Sequence, residues 1–266
     1  MLGGAGPAVN RVSPMPDYIT GKDGLSVNIG TGTSIFDPVL CEIAYRWFCP
    51  ADGHVIDPFA GGSVRGIVAG RLGRHYTGVE LRAEQVKANQ EQVYIAGYNS
   101  PKWIIGNSAD IRRLAPGAYD FIFSCPPYYD LEIYSNMDGE LSNCSTYEEF
   151  LIQYKFIVKE TVALLKNNRF ACFVVGDMRD KRGNYRNFPA HTIEAFIEAG
   201  MELYNEAILV TAVGSLPIRV VRPFERSRKL GKTHQNVLVF IKGDSKVAAE
   251  ICGDIGIDDA ALKEVV

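Results

Sequence analysis

The chain has 266 residues, of which 47% are hydrophobic, and its formal net charge is −3. This composition is sufficient to bury a full α/β core as one domain. The six cysteines include no Cys-x-x-Cys pair and the four histidines do not cluster with them, which argues against a disulfide framework or a zinc site. No segment is long enough to span a bilayer and no signal peptide is visible, so we expect a cytoplasmic protein with no membrane partner.

The first predicted helix begins at Asp37-Pro38. Aspartate caps helix N-termini and proline suits the first helical position, which leaves the amides of the first turn available to a carboxylate ligand. The residues before it, 1–32, are rich in glycine and proline and are expected to be irregular. The apolar face of the predicted helix also fits simple packing, and it consists of Val39, Leu40, Ile43, Ala44 and Trp47.

A strand, a glycine turn and a helix come next. His54–Ile56 is predicted to be a short buried strand, and Val64–Leu72 an apolar helix closed by Gly73. Between them, Gly61 and Gly62 let the backbone turn tightly and approach a ligand closely. The free N–H groups of the helix start favour an anionic group. The Gly-x-Gly-x-x-Gly spacing of dinucleotide folds is missing.

A carboxylate follows the second predicted strand, His75–Val79. This residue, Glu80, stands where α/β nucleotide folds place an acid that binds ribose hydroxyls. Taken alone, it could equally be a surface acid. The glycine turn after the preceding strand favours ribose binding.

Further strands and helices alternate along the rest of the chain, which indicates a mostly parallel sheet. The predicted helices are Ala83–Ala96, a long one opened by the capping box Thr146–Glu149 and running to Leu165, and His191–Ala199. The predicted strands are Lys102–Ile105, Tyr119–Ser124, Phe170–Val175 and a final antiparallel pair, Met201–Thr211 with Asn236–Ile241. Residues 250–266 are expected to form a short helix or a frayed tail.

The run Cys125-Pro126-Pro127-Tyr128 follows the strand Tyr119–Ser124. Two prolines make a stiff turn whose backbone offers carbonyl acceptors and few donors, which suits an exocyclic amino group. The ring of Tyr128 can stack against an extruded base. The alternative is an ordinary turn with a packed tyrosine.

Two basic groups partly offset the net negative charge, which by itself is unfavourable for binding phosphates. The first is predicted to be a loop between the last two strands, opposed only by Glu225, and comprises Arg219, Arg222, Arg226, Arg228, Lys229 and Lys232. The second follows the strand Phe170–Val175 and comprises Arg179, Lys181, Arg182 and Arg186. We expect the first group to contact phosphates; the alternative is a solvated loop.

Four motifs in the order Asp57–Gly62, Glu80, Asp110 and Cys125–Tyr128 resemble those of the S-adenosylmethionine-dependent amino-methyltransferases of DNA. The resemblance covers roughly residues 33 to 242. Within that group it is greatest to the phage and actinobacterial ParB-associated methyltransferases, which share Cys-Pro-Pro-Tyr and a late segment that here is Lys232–Phe240. The combination of these motifs is specific, whereas each one alone is not.

The resemblance implies a Rossmann-like class I methyltransferase fold: seven mostly parallel strands, the last one antiparallel, with helices on both faces. It places the catalytic domain at residues 33–245 and an acidic tail at 246–266. The implied S-adenosylmethionine site comprises Ser34, Phe36, Asp57, Phe59, Gly61, Gly62, Glu80 for the ribose, Leu81 beside the adenine and Asp110 for the adenine amino group. The implied catalytic residues are Cys125, Pro126, Pro127 and Tyr128. The predicted substrate contacts are Tyr129 and, from the basic segment, Arg219, Arg222, Arg228 and Lys232.

Two positions depart from the family pattern. Cys125 replaces the usual Asp, Asn or Ser before Pro-Pro, and a thiol is a weak acceptor. Backbone carbonyls, Ser124 or a residue elsewhere would then hold the amino group. A cysteine nucleophile of the cytosine-carbon type is the less favoured alternative, because here the cysteine precedes the prolines. The order Gly62-Ser63 replaces the more usual Ser-Gly and leaves the turn feasible.

The sequence therefore predicts methylation of a base amino group in DNA, with adenine N6 slightly favoured over cytosine N4. No metal is needed for this chemistry. The alternatives are an RNA or protein-glutamine methyltransferase and a catalytically silent nucleic-acid-binding subunit. Because no large insertion could form a recognition domain, we expect either short, relaxed recognition or a separate target-recognition subunit or parent-protein segment.

Overall fold

The computed structural model describes residues 18–20, 26–28, 36–129, 137, 139–211, 214 and 216–255. The chain divides into two units, Met1–Ile35 and Phe36–Val266. The first unit contains two short antiparallel strands, β1 (Tyr18–Thr20) and β2 (Ser26–Asn28), within a segment that the sequence suggests is irregular.

The second unit alternates strands and helices. Its strands are β3 (His54–Asp57), β4 (His75–Glu80), β5 (Lys102–Ile105), β6 (Tyr119–Ser124), β7 (Leu165–Val175), β8 (Glu202–Val210) and β9 (His234–Lys242). Its helices are α1 (Pro38–Phe48), α2 (Val64–Arg71), α3 (Ala83–Gln90), α4 (Ile111–Leu114), α5 (Tyr147–Leu164), α6 (Phe188–Glu198), α7 (Leu216–Ser227) and α8 (Ser245–Cys252).

The seven strands of this unit form one sheet in the order β5-β4-β3-β6-β7-β9-β8. The pairs from β5 to β7 are parallel, and β9 pairs antiparallel with both β7 and β8. Six strands therefore run in one direction and β9 runs in the other. This architecture confirms the predicted fold, including the reversed last strand.

Neighbouring residues of the central strands point to opposite faces of the sheet, and both faces are buried. On β3, Val55 packs into one hydrophobic cluster and Ile56 into the other. The cluster around Val55 includes residues of α1 and α2, and the cluster around Ile56 includes residues of α5 and α6. Burial on both faces fixes the sheet between two helical layers, as parallel strands require.

Two helices differ from the sequence-based expectation. Helix α3 ends at Gln90, not Ala96, and a 3₁₀ turn, Val93–Ile95, follows it. Asn89 donates from Nδ2 to Gly61 O at 2.7 Å, so contacts with the glycine turn hold the end of this helix. Residues 245–252 form α8, whose Ala248 is fully buried against the sheet.

The basic segment between β8 and β9 is not a loop but contains the helix α7. Pro217 lies in its first turn, a position that proline favours, although Pro223 lies inside it. Thr211 N donates to Thr233 O at 2.8 Å and closes the base of this connection. Of the helices in the described ranges, none has the length and apolarity needed to cross a membrane.

Candidate active site

The candidate residues gather at the carboxyl edge of the sheet. Asp57 is the last residue of β3, Glu80 the last of β4, and Cys125 follows the last residue of β6. In open α/β sheets, ligands bind at this edge, near the point where the strand order reverses. Here the order reverses between β3 and β6, so the glycine turn and the Cys-Pro-Pro-Tyr corner flank that point.

The carboxylate of Asp57 is fully buried and has four donors within the protein. Its Oδ1 accepts from Phe59 N and Ser124 Oγ, and its Oδ2 accepts from Arg65 Nε and Tyr76 OH, both at 2.7 Å. A carboxylate offers about four acceptor sites, and these contacts use them all. Asp57 therefore fixes the turn that follows β3 and joins it to β6, and its predicted place on the methionine side of the cofactor stays a prediction.

Arg65 is a site residue that sequence reasoning did not identify. Its guanidinium is buried, pairs with Asp57, and donates from Nη2 to Phe59 O at 2.7 Å and Ala60 O at 2.9 Å. Burial opposes the charged form, but the negative Asp57 raises the pKa of Arg65 above its ordinary value. The Arg65 guanidinium thereby fixes the carbonyl groups of the turn. The apolar stretch after the glycine turn also contains Arg71, so the sequence carried no signal that singled out Arg65.

Glu80 lies against the glycine turn. Its Oε2 accepts from Gly61 N and its Oε1 from Arg82 N, both at 2.9 Å. Oε1 also lies 3.5 Å from Arg82 Nε, whereas Oε2 keeps one acceptor site. Leu81, the next residue, is partly buried.

The two glycines of the turn are open on the outside. Gly61 has φ +50°, a conformation that suits glycine, and Gly62 is exposed. No atom of the described residues lies within 4 Å of a Cβ built at either position. Phe59 packs behind the turn on Tyr154, with ring centroids 6.0 Å apart. The backbone of the turn can therefore be approached closely by a ligand.

Three other predicted cofactor residues differ in how far the structure supports them. Phe36 packs edge-on against Phe123 at 5.6 Å, beneath the Arg65 guanidinium. Asp110 is exposed and pairs with Arg113 at 2.8 Å, so its carboxylate is turned toward solvent. Ser34 lies outside the described residues.

A short turn after β5 is attached to the glycine turn. It spans Ser108–Asp110, and the buried Ser108 donates from Oγ to Pro58 O. The sequence offered no signal for this contact, which joins residues 50 positions apart. This hydrogen bond holds the loop after β5 at the edge of the sheet where Asp57 lies.

Tyr128 is held at its hydroxyl by two other strand ends. The oxygen accepts from Gly176 N at 2.9 Å, directly after β7, and from Gln235 Nε2 at 2.8 Å, within β9. Its ring meets Phe188 edge-on at 6.1 Å. Cys125 and Pro127 are partly buried and Pro126 is buried, so the corner is firmly packed.

Tyr129, which was predicted to be a substrate contact, is buried. Its side chain is only 8% exposed and packs between Tyr147 and Phe150, each with ring centroids 5.7 Å away. The guanidinium of Arg186 lies 4.8 Å from its ring. The predicted substrate contact is therefore a core residue, and Arg186 is turned toward the core.

The remaining predicted substrate contacts lie on or after α7. Arg219 and Arg222 belong to the helix, whereas Arg228 and Lys232 follow it. Arg228 has φ +56° and donates from its amide to Phe224 O at 2.8 Å, which ends the helix. Among the described residues, no three His, Cys, Asp or Glu side chains lie close enough together to hold a metal ion.

Comparison with known proteins relates the architecture to solved structures. No family model matches the chain, and no curated protein matches it. TrmN from Thermus thermophilus has a TM-score of 0.52 and 16% identity over 77% of this chain and 48% of TrmN, so this chain spans about half the length of TrmN. A methyltransferase from Pyrococcus furiosus has a TM-score of 0.51 and 15% identity over 83% of this chain and 90% of that one.

A third structure, a SAM-dependent methyltransferase from Methanosarcina mazei, has a TM-score of 0.50 and 11% identity over 76% of this chain and 97% of that one. The chain has the class I methyltransferase fold. At these identities the similarity extends to the fold, and the chemistry must be argued from the site.

Proposed function

We propose that the protein transfers a methyl group from S-adenosylmethionine to the exocyclic amino group of a base in DNA, with adenine N6 slightly favoured over cytosine N4. The observation that carries this proposal is the fixed tyrosine of the Cys-Pro-Pro-Tyr corner. Gly176 and Gln235 hold Tyr128 at the same sheet edge as an open glycine turn and Glu80.

The glycine turn and Glu80 fit the nucleoside and amino-acid parts of the cofactor. The open backbone at Gly61 and Gly62 admits close approach, and Glu80 Oε2 keeps one acceptor site for a ribose hydroxyl. Phe36, Phe59 and Leu81 would supply apolar contacts, while Asp57 and Arg65 hold the turn in shape. Asp110 pairs with Arg113 through Oδ2, and its Oδ1 would accept from the adenine amino group.

The chain's own contribution to catalysis is alignment. When bound, S-adenosylmethionine supplies a methyl carbon that is already activated by its positive sulfur. The carbonyls of the Cys125–Pro127 corner would accept from the target amino group, while Tyr128 stacks on the base. The amino nitrogen would gain the methyl group as the electron pair of the carbon–sulfur bond stays on sulfur, and the proton would leave to an acceptor or to water. Positioning and exclusion of water supply the acceleration.

Cys125 fits this mechanism better than covalent catalysis. The cysteine precedes a buried proline at the end of β6, where its backbone carbonyl is the stronger acceptor. The Ser124 hydroxyl donates to Asp57 and is fully buried, so a base at the corner would not reach its oxygen. The departure from the usual Asp or Asn at position 125 therefore moves the acceptor function to the backbone.

A single experiment tests substrate and base together. DNA, RNA and protein are each incubated with enzyme and isotope-labelled S-adenosylmethionine, and the nucleosides and amino acids are resolved by mass spectrometry. We expect label in N6-methyladenine or N4-methylcytosine of DNA. Label in RNA or glutamine would replace DNA as the substrate, and label at C5 of cytosine would establish the cysteine mechanism instead.

Calorimetry with S-adenosylmethionine tests the cofactor independently. Glu80→Gln should weaken binding by about tenfold, because a charged acceptor of the ribose is lost. Glu84→Gln, which changes an exposed glutamate on α3, is the matched control and should bind as wild type does. Failure of the wild-type protein to bind the cofactor would identify a silent subunit.

A further inference from the structure

Two segments of the chain extend outward from the contacts that hold Tyr128. The β7 end and the β9 start are paired, with Val175 opposite Asn236. Gly176 leads into a hairpin, residues 177–187. Asp180 N donates to Asn184 O at 2.8 Å within this hairpin. Gln235 is preceded by the segment 228–232. Both basic segments therefore start within a few residues of the Tyr128 hydroxyl.

The hairpin and the 228–232 segment are joined to each other. Arg179 donates from Nη1 to Gly183 O at 2.7 Å and from Nη2 to Leu230 O at 3.4 Å. The Lys229 side chain lies against Gly183, where a Cβ would stand 2.3 Å from Nζ. Two groups of cations about 50 residues apart in sequence thus form one surface. This outer basic surface consists of the cations Arg179, Lys181, Arg182, Lys229 and Lys232 together with Tyr185.

This surface carries positive charge that the described residues do not neutralise. Among them, Lys181, Lys229 and Lys232 have no carboxylate within 4.0 Å. Asp180 accepts from Asn184 N at 2.8 Å and meets only Arg182, at 3.5 Å. Since the whole chain has a net charge of −3, the clustering of cations here is local. Clustered cations without partners are the electrostatic pattern of a phosphate-binding surface.

An exposed aromatic ring lies within the outer basic surface. Tyr185 is 45% exposed, with the Arg179 guanidinium 3.8 Å from its ring centroid and Lys232 Nζ at 5.9 Å. The stacked arginine fixes the ring in place. Proteins that bind single-stranded nucleic acid combine such a ring with a positively charged groove, because an unpaired base can stack on the ring while cations contact the backbone.

We propose that the outer basic surface binds the sugar–phosphate backbone beside the target nucleotide, and that Tyr185 stacks on a neighbouring unpaired base. The substrate it fits is single-stranded or locally opened nucleic acid. This inference rests on the proposed function, because it takes the Tyr128 corner as the place where the target base enters. Continuity through Gly176 and Gln235 relates the surface to that corner.

The stacking role is tested by fluorescence anisotropy with a labelled 16-nucleotide single strand and with the duplex of the same sequence. Tyr185→Ala should weaken binding of the single strand by about tenfold, and Tyr185→Trp should restore it. Tyr98→Ala is the matched control, since Tyr98 is 86% exposed in a different part of the chain. Equal affinities of Tyr185→Ala and Tyr98→Ala, with unchanged melting temperatures, would overturn the proposal.

The phosphate-binding role is tested by the salt dependence of the same binding. A double variant, Lys229→Ala with Lys232→Ala, should lower the slope of log K against log salt by about 1.4, since each phosphate contact on a single strand contributes about 0.7. The control pair is Lys102→Ala with Lys159→Ala, which are exposed residues at the start of β5 and late in α5. An unchanged slope in the first pair would refute the surface.

The cofactor calorimetry separates this inference from the proposed function. Wild-type protein that binds S-adenosylmethionine, with surface variants that bind nucleic acid as wild type does, would refute the surface and leave the function standing. Wild-type protein that does not bind the cofactor, with surface variants that lose nucleic-acid affinity, would support the surface and refute the methyltransferase function.

Discussion

The Tyr128 hydroxyl accepts two hydrogen bonds while its ring remains partly buried, so the ring has one fixed orientation. Tyr128→Ala removes the ring, and methyl transfer should fall by about 100-fold, because base stacking is worth roughly 1–3 kcal/mol. The affinity for S-adenosylmethionine should stay within about twofold. Initial rates with labelled cofactor, together with calorimetry, measure both quantities.

Two milder variants separate stacking from orientation. Tyr128→Phe keeps the ring but loses both contacts, and Gln235→Ala removes one donor, so each should lower the rate by about five- to tenfold. The loss should appear in kcat more than in KM. Turnover of Tyr128→Ala near the wild-type value would show that the stacking role is wrong.

Single residues were predictable where the signal lies in the local sequence. Gly61, Gly62 and Glu80 stand next to strand ends, and the structure brings them together as expected. The roles of Arg65 and Gln235 were not predictable, because they depend on contacts made by the folded chain; Gln235 is 107 positions from Tyr128. The burial of Tyr129 was not predictable for the same reason: neighbouring tyrosines after Pro-Pro cannot be sorted into core and surface by sequence alone.

Two glycines, Gly70 in α2 and Gly62 in the turn before it, differ in the space available for a side chain. A Cβ at Gly70 would stand 2.1 Å from Asn99 O, a backbone atom, whereas one at Gly62 meets no described atom within 4 Å. Gly70→Ala should therefore destabilise the protein by about 2 kcal/mol. Gly62→Ala should leave stability unchanged but weaken S-adenosylmethionine binding about tenfold, since an added methyl obstructs the approach to the turn.

Urea unfolding measures the stability of both glycine variants, and calorimetry measures their affinity for S-adenosylmethionine. Each variant is the control for the other, because the substitution is identical and only the surroundings differ. Wild-type cofactor affinity in Gly62→Ala would remove the glycine turn from the proposed site.

Elements with a clear hydrophobic period were predicted well, and the exceptions have tertiary causes. The strands β3, β4, β5 and β6 begin where the sequence indicates. The basic segment between the last two strands was predicted to be a loop, but Leu216–Ser227 is a helix with Pro217 in its first turn. Contacts of Asn89 and Ser63 with neighbouring segments end α3 early.

The opposite edge of the sheet is held by one acid that joins three strands. Asp120, at the start of β6, accepts from His54 N on β3 and from Lys166 Nζ and Arg169 Nε on β7. Burial would raise the pKa of Asp120, but the donation from Lys166, His54 and Arg169 outweighs it and lowers the pKa below its ordinary value. Its ionised form therefore stabilises the fold.

This stabilisation should depend on pH in a defined direction. It is fully present above the ordinary carboxyl pKa of about 4 and is lost as pH falls through the lower folded-state pKa. Asp120→Asn should cost about 2 kcal/mol at pH 7 and less at pH 3. Urea unfolding at both pH values measures this, with Glu42→Gln in an exposed ion pair as the control. An equal loss at both pH values would contradict it.

The molecule as a whole followed from the alternation of strands and helices, which predicts a parallel sheet covered on both faces. The family resemblance supplied the reversed last strand. The strands β1 and β2 were not predicted, because they are short and lie in a segment of glycine and proline. The surface formed by two distant basic groups also needed the structure, since the register of β7 and β9 brings them together.

The bond between Thr211 N and Thr233 O has a consequence for how such a protein can diversify. It closes the connection between β8 and β9 at its base, so the intervening residues can be lengthened, shortened or replaced with little effect on the sheet, since loop entropy changes slowly with length. The connection is therefore an exchangeable cassette. If the protein methylates nucleic acid as proposed, swapping this connection should alter which sequences are recognised and leave methyl transfer intact.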